Sequence, residues 1–183
     1  MKVAICDYRA GNTRSVSAAL ARLGADPLVT GDPEAVLAAD VTILPGVGSA
    51  GSAMTALRAN GVDEALRRRV ASGRPTIGIC LGLQLALEQS DEDGGVDGLG
   101  LVSGRAVRIR EGRVPRIGWA EVEPLGEAFY FAHSYAAETP AATAMSEGLV
   151  AEVRAGSFLG VQFHPEKSGA AGARYLERCL SRA

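Results

Sequence analysis

The chain has 183 residues, 47% of them hydrophobic and 22% charged, with 19 Lys and Arg against 21 Asp and Glu for a formal net charge of −2. That length suits one α/β domain with a real core, and the near-balanced charge gives neither a basic surplus for nucleic acid nor a charged tail. Three widely spaced cysteines, Cys6, Cys80 and Cys179, argue against a disulfide framework or a zinc site and suit a reducing cytoplasm. The N-terminal apolar run is too short for a signal peptide, and no stretch is long enough to span a bilayer.

Residues 2–6 read as a buried strand. Asp7 to Asn12 is a loop, followed by an amphipathic helix to about Leu23, with Gly24 as its stop. A short strand is expected over 27–30 and another over 41–44, running into Pro45-Gly46-Val47-Gly48-Ser49. Helices follow over 50–59 and 62–72, split by Asn60-Gly61, and then a further apolar strand leads up to Cys80. Strands alternating with helices, with the strands apolar throughout, imply a parallel sheet covered on both faces. Past Asp91-Glu92-Asp93-Gly94-Gly95 the texture changes to short alternating strands at 105–109, 120–123, 127–132, 149–154 and 157–163, an antiparallel or mixed addition. A helix from Gly169 to Ser181 closes the chain. There is no internal repeat, low-complexity segment or linker, so residues 1–183 read as a single domain.

The chemistry centres on Gly78-Ile79-Cys80-Leu81-Gly82. A strand ends at the cysteine, and a Leu-rich helical pattern (Leu81, Leu85) begins after it. Glycines two residues away on each side give the spacing of a nucleophile elbow, with sulfur in place of a serine hydroxyl. An abrupt strand-to-helix turn crowds its neighbours, so residues lacking Cβ fit there. The helix N-terminus favours thiolate, the nucleophilic form. A buried structural cysteine is the competing reading, and the elbow prevails only if the chain supplies a base.

Two histidines limit the search. His164 follows the apolar Gly160-Val161-Gln162-Phe163 and precedes Pro165-Glu166. Proline stops the strand there, and Glu166, two residues on, can hold the imidazole in one tautomer. Sites in open α/β sheets form at the carboxyl ends of strands, where Cys80 and His164 can meet as nucleophile and base. His133, after Phe129-Tyr130-Phe131-Ala132, has no carboxylate within a few residues and is the weaker base; its segment suits a substrate-lining role. The Pro45–Gly48 turn reads either as a phosphate cradle, though a longer loop with a lysine would be usual, or as half an oxyanion hole completed by the Leu81 N–H.

GICLGLQ, PGVGSA and GVQFHPEKSG together resemble the class I (triad) glutamine amidotransferases. With DYRAGNTRSV, VPRIGWAEV and YFAHSY added, the chain resembles more narrowly the glutaminase subunits of imidazole glycerol phosphate synthases, from Lys2 to the C-terminal helix. The resemblance implies a flavodoxin-like open mixed sheet, mainly parallel with an antiparallel extension and helices on both faces. It implies a triad of Cys80, His164 and Glu166, and an oxyanion hole from Val47, Gly48 and Leu81. Glutamine would be held by Gly46, Gly82, Gln84, Glu92, Ser134 and Tyr135. Asn12, Trp119 and Lys167 would face or gate a (βα)₈-barrel cyclase subunit, the heterodimeric partner receiving ammonia, and Tyr135 would share that position. No cofactor or metal is expected, since two distant histidines without a carboxylate cluster are poor ligands.

Three positions depart from that pattern: Arg9 replaces the Gly usual after the first-strand Tyr, Ala120 replaces an Asn, and the segment between Pro124 and Phe129 is short. The alternatives are a glutaminase serving pyridoxal phosphate or aminodeoxychorismate synthesis, whose corresponding loops differ, and a non-catalytic flavodoxin-like binding protein, which intact Cys80, His164 and Glu166 argue against.

Overall fold

The computed structural model describes residues 1–8 and 12–181. Its first half alternates strand and helix as the apolar pattern requires: β1 (Lys2–Cys6), α1 (Thr13–Arg22), β2 (Asp26–Thr30), α2 (Pro33–Ala38), β3 (Val41–Leu44), α3 (Ala50–Ala59), α4 (Val62–Ala71), β4 (Thr76–Ile79) and α5 (Leu81–Ala86). The chain then turns to strands: β5 (Leu87–Ser90), β6 (Val96–Asp97), β7 (Val102–Arg108), β8 (Arg116–Val122), β9 (Glu127–His133), β10 (Tyr135–Glu138), β11 (Ala142–Ser146), β12 (Leu149–Ala155) and β13 (Phe158–Val161). Helix α6 (Gly169–Leu180) closes it.

The main sheet has the order β11-β12-β13-β4-β3-β1-β2. From β13 to β2 every pairing is parallel, while β11 and β12 extend it antiparallel beyond β13. The central strands β3, β4 and β13 are buried at every position, as expected where helices cover both faces. On one face Val16 and Leu20 of α1 and Tyr175 and Leu180 of α6 pack with Phe129 and Phe131 of the β8–β9 hairpin. On the other, Met54 and Leu57 of α3, Leu66 of α4 and Leu85 of α5 pack with Leu44. The expected open, mainly parallel sheet with an antiparallel extension is therefore what forms.

Several elements differ from the sequence expectation. Helix α2 was not expected; Asp32 starts it by accepting the Glu34 N–H at 3.0 Å, with Pro33 in the first turn. The pattern starting at Leu81 stays helical for six residues only, after which Leu87 enters β5 and pairs with Val102. Strands β10 and β11 were also unexpected, and β8 starts at Arg116 rather than Ala120. Arg69, fully buried, closes the α2–β3 corner by donating to the carbonyls of Val36, Leu37, Ala39, Asp40 and Pro75 at 2.8–3.2 Å.

Candidate active site

Cys80 stands between β4 and α5 with φ 54° and ψ −109°, a left-handed backbone that costs a residue with Cβ roughly 1–3 kcal/mol. The surrounding packing holds it. A Cβ on Gly82 would lie 1.8 Å from the Leu44 carbonyl oxygen, and one on Gly78 would lie 2.7–2.8 Å from Phe158 and the Gly82 backbone. A Cβ on Gly46 would meet Leu81 at 2.6 Å. Gly78 and Gly82 of the elbow and Gly46 of the neighbouring turn are thus demanded by close approach of their surroundings. Cys80 is 6% exposed, and its sulfur lies 3.8 Å from the Ala132 carbonyl oxygen and 3.6 Å from Gln162 Nε2.

His164 comes from the end of the adjacent parallel strand. Val161 pairs with Ile79, and the Cys80 N–H donates to the Val161 carbonyl at 2.7 Å. In extended chain, residues two apart share a face, so Gln162 and His164 both reach the sulfur. The His164 N–H donates to the Tyr130 carbonyl at 2.8 Å, and Ser168 Oγ donates to the His164 carbonyl at 2.6 Å, fixing the segment. The imidazole Nδ1 lies 2.9 Å from Glu166 Oε1, with both side chains almost completely buried. Asn12 Nδ2 donates to the same carboxylate oxygen at 3.2 Å. Burial alone would lower the His164 pKa. Hydrogen bonds to Cys80 and Glu166, and the charges of both, outweigh it and raise the value to about 9.

A cavity of about 230 Å³ opens beside the sulfur. Its lining includes eight of the expected positions: Val47, Gly48, Cys80, Leu81, Gln84, Glu92, Ser134 and Tyr135. Gly48 has φ +99° with open space where a Cβ would stand, and Val47 is 40% exposed, so this turn is held by backbone preference rather than by packing. Gln84 Nε2 donates to the Tyr135 carbonyl at 2.8 Å and to Gln162 Oε1 at 3.1 Å. Glu92 accepts the Ala50 N–H at 2.8 Å at the start of α3, directly after the 46–49 turn; burial raises its pKa against that hydrogen bond, with Asp93 adding to the rise.

The remaining expected residues lie outside the cavity. Gly46 and Gly82 pack against each other behind the elbow, where a Cβ on Gly46 would stand 3.0 Å from the Gly82 nitrogen. Asn12 reaches Glu166 instead. Trp119 is 57% exposed on β8 with its ring edge toward Tyr130, and exposed Lys167 stands 6.0 Å above the same tyrosine ring. Of the three departures, Arg9 lies outside the described residues, Ala120 packs against the core, and the short segment forms the β8–β9 turn with Gly126 at φ +67°.

His133 also borders the cavity, but its Nδ1 donates to the Tyr135 carbonyl at 2.8 Å, and burial pushes its pKa down to about 4 despite that bond, with Arg116 and His164 adding to the fall. It is a neutral wall residue. Gln162, in contact with the sulfur, carried no role in the sequence reading; its signal was an amide within an otherwise apolar strand. Two larger clefts, of about 610 and 680 Å³, lie elsewhere, and neither contains a histidine. Among the described residues no cluster of three His, Cys, Asp or Glu could hold a metal, and no helix is long and apolar enough to cross a membrane.

The family model described as glutamine amidotransferase class-I matches residues 4–183, and the chain belongs to that family of enzymes. Within it, the chain is 44% identical over 193 residues to the imidazole glycerol phosphate synthase subunit HisH of Symbiobacterium thermophilum, covering 96% of this chain and 91% of that one. It is 44% identical over 190 residues to HisH of Methanothermobacter thermautotrophicus, covering 95% of each. HisH of Carboxydothermus hydrogenoformans is 42% identical over 190 residues, with 94% and 96% covered. A crystal structure of a glutamine amidotransferase superposes with a TM-score of 0.78 at 23% identity over 99% of both chains. PurLQS of Thermotoga maritima gives 0.78 at 17% identity over 99% of this chain and 98% of that one. At these identities the two structures speak to the fold alone.

Proposed function

We propose that this chain acts as one domain that hydrolyses glutamine to glutamate and ammonia, and supplies the ammonia to a (βα)₈-barrel cyclase subunit of imidazole glycerol phosphate synthase in histidine biosynthesis. The observation that carries the reading is the buried line Glu166–His164–Cys80, with the sulfur at the edge of a cavity large enough for an amino acid side chain. His164 takes the Cys80 proton while Glu166 holds its Nδ1–H, leaving Nε2 to act as base. The sulfur attacks the glutamine amide carbon, and the oxyanion that forms is met by the Leu81 N–H and a turned peptide of Val47–Gly48. The C–N bond breaks as His164 returns the proton to the nitrogen, and ammonia leaves. His164 then deprotonates a water that cleaves the thioester, which releases glutamate and restores the thiol.

Glu92 and the Gln84, Ser134 and Tyr135 segment grip the α-amino and α-carboxylate groups of glutamine. Asn12 steadies Glu166, and Trp119 and Lys167 face the partner. Free ammonia in water is largely ammonium and no nucleophile, which favours a dry passage between subunits. The test is Cys80→Ser. Glutamine-dependent synthesis by the assembled complex should disappear while ammonia-dependent synthesis persists; glutamine hydrolysis at the parent rate refutes the reading.

A further inference from the structure

A fully buried glutamine in a core strand needs a reason, since an unpaired amide there costs roughly 1–3 kcal/mol and a leucine would fill the space. Gln162 follows β13, its N–H held by the Ala151 carbonyl at 2.9 Å, and its side chain turns toward the elbow. The orientation of its amide follows from its neighbours. The Tyr135 carbonyl can only accept, so the Gln84 group 2.8 Å from it must be the NH₂. That NH₂ has a second hydrogen, directed at Gln162 3.1 Å away, so the Gln162 atom facing it is the carbonyl oxygen. The Gln162 NH₂ is thereby left facing Cys80 Sγ at 3.6 Å. A main-chain carbonyl, through two buried amides, sets a donor against the sulfur.

We infer that Gln162 is a positioning residue for the nucleophile: its amide N–H, oriented through Gln84 by the Tyr135 carbonyl, holds the Cys80 sulfur and stabilises it when it carries negative charge. The inference rests on the proposed role of Cys80 and adds to the triad a second contact from the same extended segment. Because Gln84 also lines the cavity, what sits there bears on the same relay.

The relay is read by alkylating the full chain with iodoacetamide without glutamine and quantifying modification at Cys80 by mass spectrometry, since Cys179 is also partly exposed. In Gln162→Leu the Cys80 rate near pH 7 should fall about tenfold, the effect of losing one hydrogen bond to a charged acceptor. The parent and variant rates should converge at high pH, where the thiolate no longer depends on the contact. For glutamine hydrolysis by the complex, kcat should fall by a similar factor while KM stays within about twofold, because the contact strengthens with charge on sulfur rather than with substrate binding. Gln162→Met, which keeps the volume, serves if the leucine variant does not fold, and Gln162→Glu should depress the near-neutral rate further by placing an anion against the sulfur. Equal near-neutral alkylation rates in a folded variant, or a loss that persists unchanged at high pH, overturn the inference. A Cys80→Ala chain that still hydrolyses glutamine would instead sink the proposed function, so the two failures are distinguishable.

Discussion

The two histidines of this chain are driven in opposite directions, and that makes the site directly measurable. His133 is held neutral, its pKa lowered from about 6.5 to about 4, chiefly by burial. His164 is raised to about 9 by its bonds to Cys80 and Glu166, which overcome its burial. With only two histidines, proton NMR of the imidazole C–H resonances should show one group titrating near 4, one near 9 and none near 6.5. Glu166→Gln keeps the shape but removes the anion 2.9 Å from His164 Nδ1. A hydrogen bond to a charged partner is worth about 1.5–3 kcal/mol, so the upper titration should drop by about 1–2 pH units while the lower one stays put.

Stability follows the same signs. His133, with its folded value below the unfolded one, contributes stability that is present above about pH 6.5 and lost as the pH falls through 4. The full loss is about 3 kcal/mol for a difference of about 2.5 pH units. His164, with its folded value above the unfolded one, contributes stability that is present below about 6.5 and lost as the pH rises through 9. Urea midpoints measured across this range should therefore fall away on both sides of a maximum near neutrality. A histidine titrating near 6.5 in the folded protein, or an upper titration unmoved in Glu166→Gln, refutes the pairing.

Arg69→Met withdraws the guanidinium from five carbonyls, of which those of Val36 and Pro75 keep a donor in Thr42 and that of Leu37 keeps one in Arg74, and should destabilise the chain by about 2–4 kcal/mol in urea unfolding, where a surface arginine would cost under 1. Gly48→Ala meets no steric obstacle but must hold φ +99°, a strain of about 1–3 kcal/mol. The ratio of glutaminase rates with and without the ligand-loaded partner should change in that variant, and an unaltered ratio counts against a role for the Val47–Gly48 peptide in meeting the oxyanion. Trp119→Ala removes an exposed ring that meets the ring of Tyr130, so thermal stability should hold within about 1 kcal/mol while the affinity for the cyclase subunit drops by about 2–4 kcal/mol, as measured by calorimetry.

The parallel half of the fold was legible because strands covered on both faces are continuous apolar runs and the helices between them are amphipathic. What escaped the sequence escaped for local reasons. Helix α2 has six residues and one buried side chain, Val36, too few to show a period; only the Asp32-Pro33 start signal marked it. Helix α5 is buried at every position, so nothing in its polarity announces that Leu87 will leave it. Strands β9 and β10 are separated by Ser134 alone, and the split appears only when β9 pairs with β8 and β10 with β7. Gln162 escaped because an amide in an apolar strand has no reason until its neighbours are known.

Those neighbours depend on a choice the sequence does not spell out. Cys80 and His164 stand 84 positions apart, at 80 and 164, and meet because the last strand, β13, enters the sheet beside β4 rather than at an edge. Strand-end motifs gave two candidate edges of chemistry, whereas the pairing of Val161 with Ile79 fixes their alignment. A slip of one residue in that register would exchange the two faces of β13's continuation. Phe163, now stacked on Phe129 at 4.2 Å in the core, would turn toward the sulfur, and Gln162 and His164 would turn into the apolar layer. The alternation Gln162-Phe163-His164 therefore penalises every odd slip twice, once by pulling an aromatic ring out of its stack and once by burying two polar groups without partners. The hydrophobic core and the catalytic alignment are enforced by the same three consecutive side chains.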